Sequence, residues 1–531
     1  METMDGKAAK RVAIVGAGTS GLAACKHLLA RGFRPVVFEA GAAVGGLWNC
    51  TLASTRLQSP HVAYRFSDFP WPADADWYPR HDHVAAYLAA YARRFGVHAC
   101  VQLRTTVVAA EHVGGGAAAG DDDAEQWAGN GEAFGVPGAA GVWRLTVRHG
   151  DGGGATATHE FDFLILCVGR FSGVPNVPAF PANGGPGAFR GRVLHSMELS
   201  DMDDAGAAAL LRGRRVAVVG SGKSAFDIAA ECAEANGVEH PCTMICRNPQ
   251  WLLHDTDVWG RLNIGYLYMN RFAELMVRKP GAGMVSSLLA TLLTPLAWLK
   301  SKVTEAYYRT AIPMREYGME PEAGFAGSIS ACKIGMLPEA FYGKVRDGSV
   351  VMRRSRAFSF CEEGLVLDGA GRRVVPADVV ILATGFRGDQ KLRDMFVSPR
   401  VKAIVAGSPD TTVPLYRECV HPQIPQMAVI GYSESLTNIH SIEMMAKWVA
   451  RFLDGAFRLP EVGTMEESVA EWGRYMRRSS GEGFRRSCLG GVNIWYNDQL
   501  CRDMGCDPRR KKGLLAEWFQ PYGAVDYADI N

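Results

Sequence analysis

Val12-Ala13-Ile14-Val15-Gly16-Ala17-Gly18-Thr19-Ser20-Gly21 is the stretch that decides the fold. Its four apolar residues predict a short buried strand, and the helical pattern from Leu22 to Leu29 follows the turn. The three glycines let the backbone turn sharply and approach a pyrophosphate, which rests on the helix N-terminus. The pattern returns 204 residues later as Val216-Ala217-Val218-Val219-Gly220-Ser221-Gly222-Lys223-Ser224-Ala225, with a helix to Cys232 behind it. One such turn is a weak sign. Two, each set between a strand and a helix, predict two dinucleotides in one chain and electron transfer between them.

The next strand of each copy separates them by charge. After the first comes Pro35-Val36-Val37-Phe38-Glu39, with Glu39 21 residues beyond Gly18. An acid there accepts hydrogen bonds from a ribose diol and repels a 2′-phosphate. After the second comes Thr243-Met244-Ile245-Cys246-Arg247. A guanidinium at that strand end pairs bidentately with a 2′-phosphate, and Lys223 adds a second positive charge. The first site is therefore read as FAD and the second as NADPH. The plain alternative for Arg247 is a solvated surface arginine.

A second echo supports a duplication. Asp162-Phe163-Leu164-Ile165-Leu166-Cys167-Val168-Gly169 matches Asp378-Val379-Val380-Ile381-Leu382-Ala383-Thr384-Gly385. Each is an apolar run of the kind buried on both faces of a parallel sheet, ending in a glycine that lets backbone approach a cofactor. The expected fold is α/β, with two Rossmann-like dinucleotide-binding domains. Residues 1–175 form the first part of an FAD domain. Residues 176–350 form a smaller NADPH domain with a helical insert at about 250–345. Residues 351–531 complete the FAD domain, because the run at 378–385 needs a sheet to join.

Composition agrees. A chain of 531 residues holds two or three domains. A net charge of +2 gives no sign of nucleic-acid binding. Thirteen scattered cysteines read as reduced thiols in a cytosolic compartment. Cys242 with Cys246 and Cys501 with Cys506 read as incidental rather than redox-active pairs, and no spacing suggests a metal site. No secretory signal is expected ahead of the first strand. The Gly/Ala/Asp-rich stretch from Gly114 to Gly141 reads as a loop inserted in a hairpin. The apolar stretch Met284–Leu299 is interrupted by Pro295 and reads as a packed helix, with at most peripheral membrane contact. Arg509-Arg510-Lys511-Lys512 reads as a solvated loop.

These residues together resemble the flavin-containing monooxygenases, and most closely a plant branch. The family motif FxGxxxHxxx(Y/F) is matched by Phe189-Arg190-Gly191-Arg192-Val193-Leu194-His195-Ser196-Met197-Glu198-Leu199, with Leu199 where the family has an aromatic residue. Baeyer–Villiger oxygenases carry tryptophan there and are disfavoured. Ala383-Thr384-Gly385-Phe386 matches the ATG(F/Y) strand end, so Thr384 and Gly385 are cofactor-contact candidates. Gly45-Gly46-Leu47-Trp48 matches the second FAD contact, and Phe66-Ser67-Asp68-Phe69-Pro70-Trp71-Pro72 a segment before the next helix. Many members carry asparagine nine residues before that serine; here the position is Gln58, the catalytic candidate, whose amide is longer by a methylene. Thr55, Leu57 and Gln58 together with Ile494–Cys501 resemble the immune-associated branch, which includes N-hydroxylases of pipecolic acid and belongs to plant defence.

The resemblance implies an N,N-dimethylaniline monooxygenase-like enzyme that takes hydride from NADPH onto FAD, forms a C4a-hydroperoxide with O2 and N-hydroxylates a small amine or cyclic amino acid. By the same analogy the helix after Ser433–His440 faces the flavin, with Asn438 and Ser441 either at the flavin or engaged in local capping. His195 reads as structural. Two alternatives stay open: a sulfide S-oxygenase of the same fold, and an NADPH-dependent flavin reductase without oxygen transfer. The implied location is cytoplasmic, peripheral to an endomembrane at most, with room for a homo-oligomer.

Overall fold

The computed structural model describes residues 9–114, 131–135, 141–150, 154–260, 262–368, 373–406, 413–481 and 487–530. The loop expected between Gly114 and Gly141 lies mostly outside them. Strand β1 (Val12–Val15) is buried along its whole length, as an apolar run at the centre of a parallel sheet must be. The glycine turn carries it into α1 (Thr19–Leu29). Strands β2 (Val36–Phe38), β3 (Val101–Gln102) and β4 (Phe163–Leu166) follow. Next come β5 (Arg192–His195), β6 (Val216–Val219), α2 (Lys223–Asn236), β7 (Cys242–Cys246), β8 (Val350–Arg354) and β9 (Val379–Leu382). The chain then returns through β10 (Met427–Val429) and α3 (Asn438–Leu453).

The first sheet runs β10-β4-β1-β2-β3 and the second β8-β7-β6-β9-β5. Every pairing in both is parallel. The echo between the two apolar runs is structural: β4 lies beside β1 with Phe163 opposite Val12, and β9 beside β6 with Val379 opposite Val216. Each sheet also has a small antiparallel companion leading into its closing strand, 105–161 in the first unit and 358–376 in the second.

One expectation is corrected here. The run at 378–385 does not rejoin the first sheet; β9 sits inside the second, and the second unit extends past residue 350 through β8 and β9. An apolar run states that both faces of a strand are covered, but it names no neighbour. The strand that returns to the first sheet is the short β10. Between β7 and β8 lies the insert, with helices Met284–Leu292 and Thr294–Ala311 and the parallel pair Trp251–Leu253 with Ile334–Met336.

The reading of the thiols as uniformly reduced is also corrected. Cys332 of the insert and Cys488 of the C-terminal part form a disulfide, with Cα atoms 5.6 Å apart. Cys242, Cys246 and Cys501 are buried free thiols, and Cys506 is half-buried and free.

Helix α3 packs on α1, and a buried polar cluster joins them to the segment at 66–68. Ser67 donates through both its amide (2.7 Å) and its hydroxyl (2.8 Å) to the Glu443 carboxylate, and Lys447 Nζ donates to Ser67 Oγ at 3.1 Å. His27 Nε2 lies 3.6 Å from Glu443. Burial holds His27 down at about 4. Burial opposes ionisation of Glu443, but His27, the Lys447 ammonium and the Ser67 donors outweigh it and bring that carboxyl to about 2. Below the ordinary histidine value of 6.5 the unfolded chain therefore binds a proton that the folded chain refuses until about pH 4. The Glu443 contribution is present above 4.5 and is lost as the pH falls towards 2. The melting temperature should thus fall as the pH drops from 6.5 towards 4, and His27→Gln should flatten that part of the profile. Melts followed by circular dichroism across this range would show it; a wild-type profile as flat as the variant's would refute the assignment.

Candidate active site

The first turn is built so that only glycine fits. Gly16 has φ +100°, donates its N–H to Phe38 O at 2.7 Å, and a Cβ there would stand 2.5 Å from Cys167 O. A Cβ on Gly21 would fall on the Gly16 carbonyl, so α1 rises directly against the turn. Gly46, at φ +59°, lies flush on the same turn: its Cβ would be 3.0 Å from the Gly18 Cα, and the preceding Gly45 N–H bonds Ala17 O at 2.9 Å. Gly18 is the N-cap of α1, which has no side-chain cap and no acid in its first turn. Its amides and dipole end are left to an anion, and the backbone above them is bare.

Glu39 stands at the end of β2, where its carboxylate accepts from Ala17 N at 2.6 Å and Gly41 N at 2.7 Å. The Tyr64 hydroxyl meets the Thr19 side chain and accepts from Trp48 Nε1 at 3.2 Å. Leu47, next to Trp48, is exposed. Ser20 points at Gly431, where any Cβ would collide with the Ser20 hydroxyl; Gly431 has φ +88° and follows β10. Lys391 reaches the same end of the sheet. Its Nζ donates to Val168 O at 2.6 Å; burial lowers its pKa and the Glu39 carboxylate works the other way. Neither Gly431 nor Lys391 belongs to a local motif, so the sequence carried no signal for them.

The second turn repeats the geometry. A Cβ on Gly220, at φ +154°, would fall on Ala383 O, and Ala225 takes the place of Gly21 with its methyl 3.2 Å from that position. Gly222 caps α2 without a side-chain cap or a first-turn acid, and apart from its chain neighbours nothing lies within 4 Å of where its Cβ would sit. Ser221 is half-buried beside Phe226, Cys246 and Tyr342, and Ser224 is exposed. Arg247 is exposed at the end of β7, as expected. Lys223 differs from expectation: one turn along α2 it pairs with the buried Asp227, so its charge is already matched. Thr384 and Gly385 follow β9 and are clamped by Asn176, whose Nδ2 donates to Thr384 O at 3.1 Å while Thr384 Oγ1 donates to Asn176 O at 2.6 Å. They border the second turn. These uncapped, glycine-lined turns with opposite charges at their strand ends fit two dinucleotides.

The two units meet along the segment after Trp48. Ser54 N donates to Glu231 of α2 at 3.1 Å, and Leu52 packs into the second unit's core. Gln58 accepts from Met336 N at 3.2 Å, so its carbonyl end is held by the insert and its Nε2 hydrogens remain to donate. On the opposite side, Arg170 pairs with Glu434 at 2.5 Å and pins the loop before α3. Asn438 and Ser441 are both engaged within the protein, and neither caps α3: Ser435 N donates to Asn438 Oδ1 at 2.7 Å, and Ser441 Oγ donates to Asn493 Oδ1, 52 residues away, at 2.9 Å. His195 is a capping residue. Its Nδ1 accepts from Met197 N and its own amide donates to Glu198, closing β5 onto a short helix. Gly191 opens that strand because a Cβ there would strike the Phe189 ring and Asp378 O.

A family profile described as flavin-binding monooxygenase-like matches residues 9–128 and 136–516. The chain is 36% identical over 522 residues to the probable flavin-containing monooxygenase 1 of Arabidopsis thaliana, covering 97% of this chain and 96% of that protein. Among solved structures, OTEMO in complex with FAD and NADP superposes with a TM-score of 0.64 at 17% identity, over 93% of this chain and 97% of the other. The S-allyl-L-cysteine S-oxygenase of Allium sativum superposes at 0.55 and 17% identity, over 94% and 89%. At that identity the two structures establish the fold.

Proposed function

The chain belongs to the flavin-binding monooxygenase-like family and is a flavin-dependent monooxygenase; from that premise we propose that it uses FAD, NADPH and O2 to N-hydroxylate a small amine or a cyclic amino acid such as pipecolic acid. In this reading the Gly16–Gly21 turn with Gly46, Leu47 and Trp48 holds the FAD pyrophosphate, and Glu39 accepts from its ribose. The Gly220–Ala225 turn holds the NADPH pyrophosphate beside Thr384 and Gly385, with Arg247 on the 2′-phosphate. When bound, the flavin supplies hydride acceptance from NADPH and the activation of O2. The protein's share is orientation and shielding from water. Gln58, fixed through its oxygen, presents its Nε2 hydrogens from the segment that joins both units.

The observation that carries the substrate class concerns the two segments that resemble the N-hydroxylase branch. Both meet the insert: Gln58 accepts from Met336 N, and Ile494 and Trp495 donate their amides to the buried Glu274 at 2.6 and 2.8 Å. Residues marking the branch and the helical insert thus form one body, which supports a shared role in shaping the substrate space. The test is a panel of pipecolate, a primary amine and a thioether, incubated with enzyme, NADPH and air. NADPH use is measured against product by mass spectrometry. One oxygen on the pipecolate nitrogen per NADPH is expected. Sulfoxide from the thioether with no amine product, or peroxide alone, would refute N-hydroxylation.

A further inference from the structure

Lys391 is a cation without an acid. Its Nζ donates to two neutral acceptors, Val168 O at 2.6 Å and Ser172 Oγ at 3.2 Å, which leaves one N–H over. Among the described residues it forms no ion pair. The Glu39 carboxylate lies within range of its charge, but both Glu39 oxygens accept from backbone amides, Ala17 N and Gly41 N. A half-buried ammonium held only by neutral oxygens is costly to keep charged, and burial lowers its pKa. An anion beside it would remove that cost.

Lys391 belongs to helix Gly388–Met395, in the segment that follows Thr384 and Gly385 out of the second unit. That helix is fastened to the first unit. Arg387 N donates to Val174 O at 2.8 Å, Tyr432 Oη donates to Gly388 O at 3.1 Å, and a Cβ on Gly388 would stand 2.5 Å from Arg170 O. Gly173, at φ +86°, packs on the lysine stem: a Cβ there would be 3.2 Å from Lys391 Cδ and 3.4 Å from its Nζ. The ammonium is thus delivered to one place, the C-terminal edge of the first sheet. Val168, its acceptor, follows Cys167, whose carbonyl closes over Gly16. Ligands of open α/β sheets lie along that edge.

The first glycine turn lacks a cation of its own. None stands between Gly16 and Gly21. Lys26, further along α1, is engaged with Asp68 at 2.8 Å, and Arg170 with Glu434 at 2.5 Å. The amides and dipole end of α1 amount to about half a positive charge, less than a pyrophosphate carries in negative charge. We propose that Lys391 is a counter-ion of FAD, its remaining N–H meeting the phosphate on the adenosine side of the pyrophosphate. A residue from the linker that leaves the second unit then completes the cofactor seat of the first. This rests on the reading of Gly16–Gly21 as the FAD seat.

Release of FAD from the diluted holoenzyme, followed by flavin fluorescence, tests this. Lys391→Gln keeps a donor for Val168 O and drops the charge; its dissociation constant for FAD should rise by about 10- to 150-fold. Lys391→Arg keeps the charge and should stay near the wild type. Added salt should weaken FAD binding in the wild type and in Lys391→Arg, and have less effect in Lys391→Gln. Equal weakening in the Arg and Gln variants, or a salt dependence that Lys391→Gln retains in full, would show the lysine acting on the shape of the linker and overturn the proposal. A wild-type constant that does not move with salt would overturn it without any variant. Gly21→Val separates the proposal from the reading beneath it. Flavin loss in Gly21→Val with none in Lys391→Gln refutes the counter-ion alone, whereas full flavin in both removes the seat and the proposal with it.

Discussion

Gly21→Val should yield a chain that purifies with little or no flavin. The Cβ of any other residue at this position falls on the Gly16 carbonyl, and neither partner can give way. β1 is the buried centre of its sheet, held by β2 and β4, and α1 is held from behind by α3. The helix start would have to lift from the turn, parting Gly18 from Gly46 and removing the cradle. Overpacking of a rigid core costs about 1–3 kcal/mol, and more where the opposing atoms are backbone. As each 1.4 kcal/mol is a factor of ten, flavin affinity should drop by about 5- to 150-fold, and the flavin retained through purification should fall with it. Flavin absorbance per mole of protein measures it. The second turn supplies the control, since Ala225 already carries a methyl at the equivalent place: Ala225→Gly should leave flavin occupancy intact. Full occupancy in Gly21→Val would mean that the pyrophosphate is held elsewhere.

Arg247→Ala should raise KM for NADPH by about 10- to 150-fold, because hydrogen bonds to a charged group are worth about 1.5–3 kcal/mol. KM for NADH should stay where it is, since that cofactor lacks the 2′-phosphate, and flavin content should not change. Lys223→Ala should do far less than Arg247→Ala: Lys223 is engaged with Asp227, while Arg247 is exposed at the strand end. Steady-state kinetics with both cofactors decides the matter. A parallel loss with NADH and NADPH would show that Arg247 acts on the shape of the site and not on the phosphate.

Both predictions rest on features that could be read from the chain alone. A strand, a glycine turn and a helix are contiguous, so their local chemistry is written in ten residues, and Gly16–Gly21 and Gly220–Ala225 stand where that chemistry puts them. The echo between 162–169 and 378–385 was equally legible as a repeated strand. Which sheet took the second copy was not, because side-chain burial says nothing of the hydrogen-bonding edge. Lys391 beside Glu39, Gly431 beside Ser20 and the bond from Met336 to Gln58 were invisible for a related reason. Each joins residues that only the finished topology brings together. The pairing of Lys223 is legible on a shorter scale: its i,i+4 partner Asp227 stands in the sequence, and the ion pair follows from helix geometry.

The link between Cys332 and Cys488 closes a ring across a sequence separation of 156 residues, within which lie β8, β9, β10 and α3. A crosslink of that span restricts the denatured ensemble far more than the native one, and the chain-entropy relation puts the difference at about 5 kcal/mol. That is comparable with the whole net stability of an ordinary domain. The thiol–disulfide poise of the surroundings would therefore act as a control on lifetime: in a reducing compartment the same fold must stand on packing alone, and in an oxidising one it carries a topological safeguard against unfolding.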